Sequence, residues 1–218
     1  MGPAPLRETM AAQLIMLSRW DARTEPLVDP MAGGGTIPIE AAGLAVGAAI
    51  RKPVDLPLGY LTAFEDLPIQ TPDLFPGTVP RILALDIDAG RIPDMVGNLR
   101  AAGLTGPAHE KSIVIAQQDV RTLDPEYVHR MMPAAQDMKP GVFCFNPPYG
   151  VRIGAEAGEE KLLALYSDLG RVLARFKGWR AACFVANPRF TDAFGYAPVM
   201  TKPASNADLR GAFLLYQF

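Results

Sequence analysis

Apolar runs alternate with amphipathic stretches along this 218-residue chain, a pattern that predicts strands alternating with helices. Leu6, Met10, Leu14 and Leu17 recur at spacings of three and four, which predicts a helix over residues 5–19. A short apolar strand in "PLVDP" ends at Asp29. After three glycines, "TIPIEAAGLAVGAAI" reads as a second helix, and Pro38 is tolerated in its first turn, where the amide has no intrahelical partner. Over residues 51–80 the period gives way to a proline-rich irregular connection, of a length that is often functional in a compact domain. Order resumes with strand "RILALD", helix "AGRIPDMVGNLRAAG", strand "SIVIAQQD", a poorly periodic stretch and strand "VFCF". A helix over residues 159–176, strand "RAACFVA" and two closing strands near "APVMT" and "GAFLLYQF" complete the series, with no internal repeat.

Strands separated by helices imply right-handed crossovers, and so an α/β fold with a mostly parallel sheet covered on both faces. In such sheets the ligand site forms beyond the carboxyl ends of the strands, where the strand order reverses. Asp29, Asp86, Asp119 and Asn146 each end a predicted strand and are expected to meet there.

Composition narrows the picture. Nearly half of the residues are hydrophobic, which at this length suits one domain over residues 1–218. Lys and Arg total 21 against 23 Asp and Glu, a net charge of −2, so the chain lacks the broad positive field of non-specific nucleic-acid binders. Any grip on a polynucleotide must be local or supplied elsewhere. Cys144 and Cys183 sit inside apolar strands and read as buried free thiols. His109 and His129 have no companion at metal-ligand spacing, so no metal is expected. The first twenty residues lack the pattern of a secretory signal, and no apolar run is long enough to cross a bilayer; the expectation is a cytoplasmic protein that is a monomer or weak dimer and does not contact a membrane.

The candidate chemistry begins with "DPMAGGGT". Three glycines between a strand and a helix bring backbone amides close to a ligand and leave the helix N-terminus facing it. Neither the dinucleotide fingerprint nor the P-loop lysine is present, so the loop suits an anion or polar tail other than a pyrophosphate; Thr36 can also simply cap the helix. Asp86 ends the second strand, where a carboxylate accepts both hydroxyls of a ribose, while Asp88 suits the cap of the following helix. Asp119 ends the third strand and can accept from an adenine amino group. Together these positions describe an adenosine site.

The stretch "VFCFNPPYGVRIG" supplies the rest. An exocyclic amine is a poor nucleophile while its lone pair is delocalised into the ring. The Asn146 side-chain oxygen and the Pro147 carbonyl can accept its two N–H groups, so that the nitrogen pyramidalises and aims its lone pair. Pro147 and Pro148 hold the turn rigidly. Tyr149 offers a face on which a purine can stack, worth about 1 to 3 kcal/mol.

These residues resemble the class I S-adenosylmethionine-dependent methyltransferases that act on amino groups, and most closely the RNA guanine-N2 methyltransferases that usually carry an N-terminal THUMP domain. "APLRE", "DPMAGGGTIPIEAA", "AFEDLP", "LDIDAG", "NPPYGVRIG", "LYSDLGRVLARFKGW" and "NADLRGAFLLYQF" carry the resemblance over nearly the whole chain. It implies a Rossmann-like fold with a seven-stranded, mostly parallel sheet and an antiparallel C-terminal strand. It implies S-adenosyl-L-methionine as cofactor, S-adenosylhomocysteine as product, and a guanine N2 in ribosomal or transfer RNA as acceptor. Carried onto this sequence, Asp29, Gly33, Gly35 and Thr36 hold the methionine end, Asp86 the ribose and Asp119 the adenine. Ala32, Ile87, Val120 and Asn146 complete the cofactor contacts. Asn146, Pro147, Pro148 and Tyr149 form the catalytic turn, and Tyr149, Arg152 and Lys202 face the substrate. Arg152 suits a backbone phosphate, or alternatively an ion pair with Glu156.

The chain departs from the family in having Ala32 and Gly34 where Cys and Ser are common, and Asn206-Ala207 where Asn-Gly is common. The THUMP domain is expected to be absent from this chain, so that RNA binding needs a further domain. The same four-residue turn also serves adenine N6 in DNA or RNA and a protein glutamine amide. A non-catalytic cofactor-binding or RNA-scaffolding module is the remaining reading.

Overall fold

The computed structural model describes residues 6–47, 75–105, 112–150 and 156–218. The connection expected over residues 51–80 therefore lies outside the described residues except for 75–80, as do "AFEDLP" and Arg152. In chain order the elements are α1 Glu8–Ser18, β1 Leu27–Asp29, α2 Thr36–Val46, β2 Ile82–Asp86, α3 Arg91–Ala101 and β3 Ile113–Gln117. They continue with α4 Pro125–Met131, β4 Val142–Phe145, α5 Glu156–Leu173, β5 Arg180–Val185, α6 Phe190–Phe194, β6 Met200–Asn206 and β7 Leu209–Gln217.

The seven strands form one sheet in the order β3-β2-β1-β4-β5-β7-β6. β1 to β5 pair in parallel, and β7 runs antiparallel to both β5 and β6. The central strands are continuous apolar runs because helices cover them on both sides. Leu27, Ala84 and Cys144 face a core with α1, α2 and α3, whereas Val28, Leu83, Phe143 and Phe145 face a second core with α4, α5 and α6. Cys144 and Cys183 are free and buried, and they belong to opposite cores. Burial pushes the Cys144 thiol up to about 12, so both thiols behave as small hydrophobes.

Two short helices were not expected from the pattern. Asp124 caps α4, accepting from the Tyr127 amide at 2.7 Å, with Pro125 in the first turn. α6 has only five residues, too few for a readable period. β6 begins at Met200, later than "APVMT" suggests, and contains Pro203; at the edge of the sheet a missing amide is tolerated. The turn from β6 to β7 puts Ala207 at φ 55.

Two contacts tie the N-terminal helix to this frame. The Arg7 amide donates to the Asn206 side-chain oxygen at 3.1 Å, joining residues 199 positions apart. Beyond α1, Arg180 at the start of β5 pairs with Glu25 at 2.7 Å and donates through Nε to the Ser18 carbonyl at 3.1 Å.

Candidate active site

β1 has β2 on one side and β4 on the other, so the chain reverses across it and a crevice opens beyond the carboxyl ends of β1 and β4. A cavity of about 1590 Å³ lies there. Of the sequence-expected site residues that are described, its walls bring together all except Gly35 and Lys202. Gly35 is buried within the same loop, whereas Lys202 stands on β6 beside Met16 and Val199, lining a separate groove. The placement of Lys202 is a correction to the expected substrate contacts, and it follows from β6 being the far edge of the sheet.

At the end of β1, Asp29 is 1 % exposed and its carboxylate accepts from the Met31 amide at 3.0 Å. Burial holds this carboxyl well above the usual range, the Met31 amide opposes the shift, and the charge of Asp86 adds to it. Asp86 grips the glycine loop: one oxygen accepts from the Gly33 amide at 2.8 Å and the other from the Asp88 amide at 2.9 Å. Asp88 accepts from the Gly90 amide at 2.9 Å, closing the turn ahead of α3; the N-cap of that helix is Gly90, with no side-chain cap, so the capping role expected of Asp88 is corrected to one in the preceding turn. A Cβ added to Gly33 would meet nothing within 4 Å, so the loop faces open space at that point. Ile87 is 57 % exposed and also lines the cavity, offering an apolar surface to a flat ring.

Asp119 is already engaged. Arg121 donates through Nε at 2.9 Å and Nη2 at 2.5 Å to its carboxylate, and these bonds hold the acid below the usual range. An adenine amine would have to share or displace this arginine, which sequence spacing alone did not single out. Lys161 and Leu165 of α5 and Asn98 of α3 are further wall residues that the sequence reading missed.

The Asn146–Tyr149 turn projects from β4 into the same cavity. The Tyr149 hydroxyl donates to Asn146 Oδ1, and the Tyr166 hydroxyl donates to the Pro148 carbonyl. Asn187 of the β5–α6 connection donates to the Tyr149 carbonyl at 3.3 Å. Tyr149 is 7 % exposed and meets Phe184 edge-on at 5.9 Å between ring centroids. Where the sequence suggests a free stacking face, the ring is largely covered by protein. Burial raises the Tyr149 pKa, keeping the hydroxyl protonated as a donor.

The residues fit a cationic nucleoside. Six acids, Glu8, Asp29, Asp86, Asp88, Asp94 and Asp119, line the cavity against four cations, Arg7, Arg91, Arg121 and Lys161. Arg91 is paired with Asp88 and Asp94, and Arg121 with Asp119. S-adenosylmethionine carries a sulfonium and an ammonium against one carboxylate, a net positive charge that this small excess of acids suits. Among the described residues no three His, Cys, Asp or Glu side chains are grouped to hold a metal ion, and no helix is long and apolar enough to cross a membrane.

Strand order, reversed last strand and a cavity at the switch point define a class I methyltransferase fold. The chain belongs to the family of RMKL-like methyltransferase domains, whose model matches residues 1–213. The ribosomal RNA large subunit methyltransferase K/L of Methylococcus capsulatus is 33 % identical over 201 residues, covering 85 % of this chain and 24 % of that protein. The chain spans about a quarter of the length of the first such curated relatives. Among solved structures, a possible methylase from Clostridium difficile 630 aligns with a TM-score of 0.76 at 26 % identity, covering 98 % of this chain and 53 % of its own. A protein from Listeria monocytogenes, described as a predicted N6-adenine-specific DNA methylase, aligns with a TM-score of 0.72 at 28 % identity, covering 99 % and 52 %.

Proposed function

We propose that this domain transfers a methyl group from S-adenosylmethionine to the exocyclic N2 amine of a guanine in ribosomal or transfer RNA. The observation that carries the reading is the meeting, in one cavity, of the Asn146–Tyr149 turn with the strand-terminal acids Asp29, Asp86 and Asp119. The similarity to a ribosomal RNA methyltransferase supports an RNA acceptor. Asp29 and the loop of Gly33, Gly35 and Thr36 would hold the methionine end, with Asp86 at the ribose and Asp119 at the adenine. Ala32, Ile87 and Val120 would pack around them. When bound, the cofactor supplies an electrophilic methyl on sulfur and leaves as S-adenosylhomocysteine.

Asn146 Oδ1 and the Pro147 carbonyl would accept the two amine protons and hold the nitrogen in line. The bond gained would be N–C and the bond lost C–S, whose electron pair would stay with sulfur. The proton lost by the nitrogen passes to water, because neither an amide oxygen nor a peptide carbonyl is a base. Alignment therefore carries most of the rate gain. A base paired in RNA must also be turned out of its stack to reach the cavity. With a net charge of −2, RNA affinity would come largely from a further binding domain outside this chain.

Adenine N6 is the second reading, favoured by the description of the Listeria monocytogenes protein. Nucleoside mass spectrometry on ribosomal RNA, transfer RNA and DNA from cells with and without the gene separates the two. Loss of N2-methylguanosine supports the proposal, and restoration by the wild-type gene but not by Asn146→Ala assigns the turn. Loss of N6-methyladenine with N2-methylguanosine intact overturns the guanine assignment.

A further inference from the structure

α3 presents two side chains to the glycine loop from one face. Met95 and Asn98 are three positions apart and so lie on the same side of the helix. Met95 is fully buried, and a Cβ added to Gly35, at φ 86, would come within 2.7 Å of its Cγ. The loop is pressed against Met95 at Gly35, which has no side chain to collide with it. One turn further on, Asn98 Nδ2 donates to the Gly34 carbonyl at 2.8 Å. On the opposite side of the loop the Gly33 amide is bound to Asp86, and the Ala32 amide to the Leu85 carbonyl at 2.7 Å. The Gly35 amide folds back to the Ala32 carbonyl at 2.7 Å.

The Gly34 amide has no partner among the described residues and lies between two fixed peptide groups. Asn98 is exposed and lines the cavity, so its bond to the loop adds little to the core. Asn98 and the Ala32 carbonyl together fix the Gly34–Gly35 peptide, and Asp86 holds the peptide that ends at the Gly33 amide, so the Gly33–Gly34 peptide, which carries the free amide, is strung between two anchored planes. We infer that Asn98 is a positioning residue, which holds the glycine loop in the geometry that receives the methionine end of the cofactor. The inference rests on the cofactor reading above. It makes α3 part of the binding machinery and not merely a cover for the sheet.

Asn98→Asp keeps the shape of the side chain but replaces the donor with a charged acceptor, while Asn98→Ala removes the group altogether. Titration calorimetry with S-adenosylhomocysteine is expected to give a dissociation constant about five- to ten-fold higher for both variants, the cost of ordering on binding a loop that is no longer held beforehand. The unfolding midpoint of the unliganded protein should stay at the wild-type value, and turnover on total RNA should show the same kcat with a raised KM for S-adenosylmethionine. Wild-type affinity in both variants overturns the inference and leaves the cofactor reading standing. Weaker binding that comes with a lowered unliganded midpoint also overturns it, by making Asn98 a stability residue. Failure of the wild-type protein to bind S-adenosylhomocysteine overturns the cofactor reading, and the role of Asn98 with it.

Discussion

The hydroxyl of Tyr149 donates its hydrogen bond to the side-chain oxygen of Asn146, three residues earlier on the same turn. A carboxamide has two nearly isosteric ends, and only the oxygen can accept from an amine. A donor fixed beneath Asn146 selects the orientation in which oxygen, with a second lone pair free, lies at the cavity. The buried ring, braced on Phe184, is what keeps that donor in place. Tyr149 thus acts on the acceptor through Asn146, a role that a stacking face alone would not require.

Tyr149→Phe retains the ring and removes the donor. We expect kcat to fall about ten-fold with the affinity for S-adenosylhomocysteine unchanged, the size of one neutral hydrogen bond. Single-turnover assays at saturating cofactor would read this directly. An unchanged rate would mean that the hydroxyl is dispensable and that Asn146 is oriented by the turn alone.

Much of the frame was legible because it follows from periodicity. Residues 82–85 and 142–145 are uninterrupted apolar runs, as strands buried on both faces must be, and the Asp86 and Asn146 that end them stand at the cavity. α4 escaped because its seven residues bury Val128 alone, although Asp124-Pro125 was a readable start signal. β6 was misplaced because edge strands carry polar residues and even proline. Within the site, residue types were visible but partners were not. No spacing rule says that Arg121 folds back on Asp119, or that Asn98 reaches a carbonyl 64 positions away. Lys202 looked suitable by charge, and only the strand order reveals that it stands at the other end of the sheet.

The turn that replaces Asn-Gly with Asn206-Ala207 is kept at a cost. β6 and β7 are joined with Asn206 paired to Leu209, leaving a two-residue connection, and tight hairpins of this length favour a positive φ at the first of those residues. Ala207 adopts φ 55, where its Cβ crowds the backbone. Ala207→Gly should relieve the strain and lose part of the gain to the freer unfolded chain, for a net stabilisation of about 0.5 to 1 kcal/mol. In a chain of this size that corresponds to a rise of about 1 to 3 °C in Tm by calorimetry. No rise, or a fall, would show that neighbouring contacts such as that between Asn206 and Arg7 already compensate.

Glu40 makes the stability of the fold depend on pH. It is 8 % exposed on α2, and burial, with a smaller contribution from the charge of Glu8, raises its pKa from 4.5 to about 7. Between those two values the folded state holds a proton that the unfolded state has released, so stability falls as pH rises through this window and levels off above it. Glu40→Gln is neutral at every pH and should be more stable than the wild type above pH 7, by about 2 to 3 kcal/mol, with the two proteins converging below pH 4.5. Urea unfolding at a series of pH values would trace the difference. A residual slope in the variant is expected, because burial raises Asp29 in the same direction. Parallel curves for wild type and variant across the window would mean that Glu40 is solvated well enough to ionise at its ordinary pKa, and that the interface between α1 and α2 admits water.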